Sequence, residues 1–147
     1  MKIDILCAGK LKEKYLRDAM AEYQKRLSRY CKFNVLEVDD GPDMEHEAER
    51  FDRRLSPDSY LIALEIDGEM LSSEELSDRM GSLMSRGISH ITFLIGGSDG
   101  IDKRISERAD MKLSFSKMTF PHQLMRVILI EQIYRSFKII AKEPYHK

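Results

Sequence analysis

The run YLIALEI, residues 60–66, carries one charge in seven positions. A strand with one wet face alternates apolar and polar side chains. A run that is apolar at both parities belongs inside a sheet covered on both sides. Such a strand excludes an open, half-solvated sheet and requires helices on both faces. The flanking sequence supplies them. KIDILCAG (2–9) alternates and ends at Gly9, a strand and a turn. Between Lys12 and Tyr30, Leu16, Ala19, Met20, Tyr23, Leu27 and Tyr30 recur at helical steps, leaving a basic outer face. KFNVLEV (32–38) reads as a second strand, broken by DDGPD. Met44, Ala48, Phe51 and Leu55 mark a short helix ended by SPDS.

After YLIALEI, Asp67 and Gly68 read as a turn. Ser72 with Glu75 forms a capping-box pattern ahead of Leu76, Met80, Leu83 and Met84, with Gly87 as the stop. HITFLIGG (90–97) is a fourth strand, 101–109 a short helical stretch, and KLSFS (112–116) a fifth strand. Pro121 opens a helix to Ala141, at the end where a missing N–H is tolerated. Strand and helix alternate throughout. This predicts an α/β fold with a mostly parallel sheet, helices on both faces, and a ligand crevice at the strands' carboxyl ends. The chain shows no linker, repeat or low-complexity tract, so residues 1–147 read as a single domain.

With 42% hydrophobic and 33% charged residues, the composition is that of a soluble globular protein. No apolar run nears the roughly 20 residues of a membrane span, and the N-terminus is too soon charged for a signal peptide. Cys7 and Cys31 are isolated, which suits free thiols in a reducing cytoplasm rather than a disulfide or metal site. The net charge of −1 hides a segregation: +5 over residues 1–32, −11 over 33–100, +5 over 101–147. If the two ends meet, they make a basic face; the alternative is ordinary solvated helix faces. In the last helix, Leu124, Val127, Ile128, Leu129, Ile130, Ile133, Tyr134, Phe137 and Ile140 cover more than one side. That excess suits a homodimer, or else a helix central to one chain.

Three segments should converge at the carboxyl ends: Leu64–Ile66, Ile95–Gly100 and Phe115–Phe120. FLIGGSDG (93–100) matches neither G-x-G-x-x-G nor G-x-x-x-x-G-K-[ST]. The third segment is apolar and small-polar, unlike a surface turn. It suits an adenine held by main-chain groups between apolar walls. With no acidic metal cluster and no lysine after the glycines, neither a magnesium triphosphate nor a pyrophosphate dinucleotide fits.

LIGGSDG, LSFSKMTFPHQLMRVILIEQIYR and the closing PYHK resemble the SPOUT methyltransferases, whose carboxyl half is a trefoil knot. More closely, the whole length is similar to the ribosomal RNA large subunit methyltransferase H family. The resemblance implies a knotted SPOUT fold, S-adenosylmethionine as cofactor with no metal, and an obligate homodimer with its active site near the subunit interface. It implies a cytoplasmic enzyme that methylates N3 of a pseudouridine in 23S rRNA, on assembled ribosomes. The family's cofactor contacts fall on Leu64, Gly96, Phe115, Ser116, Lys117, Met118, Thr119 and Phe120. Residues 39–59 are shorter than the family pattern, which bears on contacts made by that segment and not on the cofactor site.

Methyl transfer from a sulfonium to an imide nitrogen releases a proton, so a base or an oxyanion stabiliser helps. His146 in the terminal Tyr145-His146-Lys147 is the first candidate, with Tyr145 beside it. Arg126, on the face of His122, is a candidate holder of a phosphate or carbonyl oxygen, or an ion-pair partner; Arg135 divides the same way. His122 reads as a cap or packing residue, and His46 and His90 as surface residues. Tyr15, Tyr23 and Tyr30 lie among Lys12, Lys14, Arg17, Lys25, Arg26 and Arg29. The rings read as core and the charges as RNA contacts. Two rival functions remain: a non-catalytic ribosome-associated RNA-binding protein, with no S-adenosylmethionine affinity, and a flavodoxin-like binder of a small ligand, with a flavin spectrum.

Overall fold

The computed structural model describes residues 1–147. Its elements are β1 (Lys2–Ala8), α1 (Lys14–Leu27), β2 (Lys32–Val38), α2 (Met44–Arg54), β3 (Tyr60–Met70), α3 (Ser73–Ser85), β4 (His90–Ile95), α4 (Lys103–Ser106), β5 (Met111–Ser114) and α5 (His122–Ile140). The sheet runs β2-β1-β4-β3-β5 and every pairing is parallel. It is the expected α/β architecture. Strand side chains alternate between two cores. Ile3, Ile5 and Cys7 of β1, with Ile62, Ile91, Phe93 and Ile95, pack under α1, α3 and α5. Leu6, Ala8, Leu61 and Leu94 pack under α2 and α4. The opening run is buried on both faces from Leu61 to Ala63, then emerges into the crevice.

The capping box at α3 is present: the Ser72 hydroxyl accepts from the Glu75 N–H, and the Glu75 carboxylate accepts from the Ser72 N–H. Pro121 is the N-cap of α5, one position outside the helix. The helical stretch expected at 101–109 is one turn, Lys103–Ser106. The largest departure is β3. Asp67 and Gly68 do not end it. The strand pairs Leu64 with Leu113, bulges, and resumes with Glu69 opposite Leu113 and Met70 opposite Ser114. Gly68 belongs there by close approach: a Cβ would stand 2.8 Å from backbone atoms of Leu113 and Lys112.

Most of the apolar excess of α5 is spent within one chain. It packs against α1 and α3, burying Leu129, Ile130, Ile133, Tyr134 and Phe137; Val127 and Ile128 are half-buried and Leu124 is exposed. The two basic ends of the chain do meet, since α1 lies against α5. Two side chains, Tyr15 and His90, differ from expectation. Tyr15 is exposed, while Tyr23 and Tyr30 pack against Tyr134. His90 is not a surface residue. Its Nε2 lies 2.7 Å from the buried Asp4 carboxylate, which also accepts from Asn34. Cys7 and Cys31 are free thiols, pushed up by burial to about 12 and about 11.

Candidate active site

The three segments converge. Residues 64–67 of the β3 bulge, 95–101 after β4, and 113–116 and 118–122 around β5 line one cleft of about 720 Å³. Each arrives for a local reason. The bulge turns Glu65, Ile66 and Asp67 out of the ladder. The loop after β4 folds back on itself, with the Gly100 N–H donating to the Gly97 carbonyl at 3.0 Å and Gly100 at a φ of +89°. At Gly96 a Cβ would stand 2.6 Å from the Gly100 carbonyl oxygen, so only a glycine lets the two strands of this loop close. In the third segment, the Ser114 hydroxyl donates to the Ser116 carbonyl and the Ser116 hydroxyl accepts from the Met118 N–H. These bonds hold an irregular loop with Phe115, Met118 and Phe120 on its walls.

The charge of the cleft is one-sided. Glu65, Asp67 and Asp99 line it, and no lysine or arginine does. The Glu65 carboxylate accepts from the Ser106 hydroxyl at 2.7 and 2.9 Å. A polyphosphate meets repulsion here, whereas an apolar ring with a cationic group meets complementary walls. No group of three His, Cys, Asp or Glu residues is arranged to hold a metal ion.

A family model described as Predicted SPOUT methyltransferase matches residues 1–146. The chain belongs to the SPOUT methyltransferases. Within them it falls in the ribosomal RNA large subunit methyltransferase H family. The protein of that name from Bifidobacterium animalis subsp. lactis is 54% identical over 159 aligned positions, covering 100% of both chains. Its namesake from Clostridium novyi is 52% identical with the same coverage. These alignments exceed the 147 residues of this chain, so the relatives carry residues it lacks. The crystal structure of tRNA (m1G37) methyltransferase from Aquifex aeolicus superimposes with a TM-score of 0.59 at 15% identity, covering 100% of this chain and 74% of that one. That likeness shows a shared fold.

In this SPOUT methyltransferase Leu64, Gly96, Phe115, Ser116, Met118, Thr119 and Phe120 line the cleft; Lys117 is exposed and does not. His122 and Met125, at the start of α5, complete the wall. Of the two readings of Arg126, the structure shows the ion pair, made with Glu37. The arginine side chain is buried and donates to the carbonyls of Ala8 (3.0 Å) and Gly9 (2.7 Å) and to Glu37 (2.6 Å). Its Nε is buried without a partner. The guanidinium fastens the end of β1 to α5, and no phosphate reaches it. Its neighbours in sequence gave no sign of this, because the carbonyls it holds come from the other end of the chain.

Tyr145 and His146 do not line the cleft of their own chain. The tail lies against α5 and α3. The Tyr145 ring meets Tyr134 edge-on at 4.9 Å, its hydroxyl donates to Glu131, and the Arg135 guanidinium stands 4.7 Å over it. Burial, then the bond to Glu131, pushes the Tyr145 phenol up to about 12. Arg135 donates twice to Glu131 and once to His146 Nδ1. A guanidinium only donates, so Nδ1 accepts, and Nε2 faces Glu74 at 2.8 Å as its donor. Glu131 is the residue that sequence reasoning missed. The i, i+4 pair with Arg135 was readable as a helix-surface contact, but its bond to Tyr145 needs the returned tail.

Proposed function

We propose that this chain transfers a methyl group from S-adenosylmethionine to N3 of a pseudouridine in 23S rRNA, as a cytoplasmic homodimer acting on assembled ribosomes. The carrying observation is the cleft: a glycine-closed loop, an apolar main-chain-rich loop and carboxylates without cations, in a SPOUT methyltransferase. The relatives' shared name supports ribosomal RNA as substrate. The reading includes the trefoil knot of the carboxyl half.

When bound, the cofactor supplies an activated methyl on a sulfonium. The protein's share is placement and exclusion of water. The Gly96 backbone would let S-adenosylmethionine approach closely, and main-chain groups of residues 115, 116 and 118–120 would hold its adenine, with Leu64 and Phe115 screening it from water. Glu65, Asp67 and Asp99 give the cleft a field that favours a cation. The tail supplies the proton chemistry from a second copy, because in one chain Tyr145 and His146 are held elsewhere. His146 Nδ1 must leave Arg135 before it can accept the imide proton.

The test is transfer of labelled methyl from S-adenosylmethionine to ribosomes lacking the modification, with the product nucleoside mapped by mass spectrometry. N3-methylpseudouridine is expected. Label on another nucleotide overturns the substrate. No cofactor binding at all leaves the non-catalytic RNA-binding alternative.

A further inference from the structure

α1 and the turn after it carry three tyrosines, and only Tyr15 is fully exposed. Tyr23 packs 6.2 Å from Tyr134 and Tyr30 stacks 5.8 Å from Phe137, whereas Tyr15 is 68% exposed. It stands at the start of α1, just after Lys10, Lys12 and Lys14. Lys10 and Lys12 are exposed and make no ion pair; Lys14 pairs only with the exposed Asp18. Glu13 is the one carboxylate between residues 9 and 17. The Tyr15 ring is thus open to solvent beside two unpaired lysines.

The loop that presents these groups is fastened from several directions. Arg126 holds the carbonyls of Ala8 and Gly9. Arg17 donates to the carbonyls of Leu11 and Lys12. The Leu11 N–H donates to Glu37 and the Lys12 N–H to Gln123. A short surface loop with its backbone fixed by β2, α1 and α5 is preorganised to present its outer side. Gln123 follows His122, a wall of the cleft, so this loop stands next to the place where chemistry occurs.

We propose that Tyr15, framed by Lys10, Lys12 and Lys14, is a stacking platform for an unpaired RNA base beside the cleft. Lysines meet the phosphates and the ring meets the base, the division of labour used by sequence-tolerant single-strand binders. The proposal rests on the reading of the chain as an RNA methyltransferase and adds where the flanking nucleotides lie. The unpaired Lys10 and Lys12, with Glu13 the one carboxylate between residues 9 and 17, favour a polyanion.

The test uses the full chain and a fluorescent, uridine-rich single-stranded RNA, titrated at several salt concentrations. Tyr15→Ala should weaken binding about tenfold with an unchanged salt slope, and Tyr15→Trp should retain it. The double variant Lys10→Gln/Lys12→Gln should lower the slope of log affinity against log salt by about 1.4. S-adenosylmethionine binding should be the parent's in all three. If Tyr15→Ala binds RNA as the parent does, the platform is overturned while the enzyme reading stands. If Tyr15→Ala sediments as a smaller species than the parent, the ring is a subunit contact and the proposal falls. A parent chain that binds no single-stranded RNA overturns the platform, while the enzyme reading is decided separately by methyl transfer to ribosomes.

Discussion

At Gly96 a single methyl group has no room. An alanine Cβ would meet the Gly100 carbonyl oxygen at 2.6 Å and its carbon at 2.8 Å, both backbone atoms that cannot swing away. Gly96→Ala should therefore spread the loop after β4 and weaken S-adenosylmethionine at least about tenfold by calorimetry, with the circular dichroism of the parent. Unchanged affinity would mean that this loop does not hold the cofactor. Gly96 was legible in the sequence because a glycine pair after an apolar strand has few other uses. Arg126 was not. A lone arginine on an amphipathic helix has the same local pattern whether it meets solvent or, as here, two carbonyls at the far end of β1.

The β3 bulge sets the limit of reading at the level of elements. Asp67-Gly68 is turn chemistry by every local rule, yet β3 runs through it because Glu69 and Met70 find partners on β5. Local preference lost to a pairing that is remote in sequence. The helices were legible by contrast, since the capping box at Ser72 and the proline at 121 act within one turn. Gly68 lies between β3 and β5, with Leu113 and Lys112 backbone 2.8 Å from any added Cβ. Gly68→Ala should cost about 2 kcal/mol in urea unfolding. It should also weaken the cofactor, because the same bulge aims Glu65, Ile66 and Asp67 into the cleft. A variant with parent stability would show that the two strands part freely there. The tail is the second such element. Tyr145 is pushed up to about 12, against about 10 for a free phenol. The folded state thus prefers the neutral phenol. Its contribution is intact below pH 10 and is lost as pH rises towards 12. Tail release, followed by proteolysis of the carboxyl terminus, should begin in that window. Tyr145→Phe, which cannot ionise, should reduce the dependence on pH to what the Lys138–Glu143 pair contributes.

At the scale of the whole molecule, the cleft and the tail pose a single problem. One chain holds both, and it keeps them apart: Gly96 and Phe115 on the cleft, Tyr145 and His146 clamped between Glu131, Arg135 and Glu74. The exposed Met118, Phe120 and Leu124 lie on and beside the cleft rim, where a second copy could seat. In the proposed two-fold dimer each cleft would meet its partner's tail. Complementation separates this from a tail that works on its own cleft. One variant, Gly96→Val, whose larger side chain the loop cannot accept, loses the cofactor site and keeps its tail; the other, His146→Ala, keeps the site and loses the tail. Each alone should be inactive. Co-refolded in equal amounts, half the dimers are mixed, and each mixed dimer joins one intact cleft to one intact tail. Activity on ribosomes should return to about a quarter of the parent's if the tail acts across the interface. If it acts within its own chain, no mixed dimer holds a working pair, and the mixture should stay as inactive as its components.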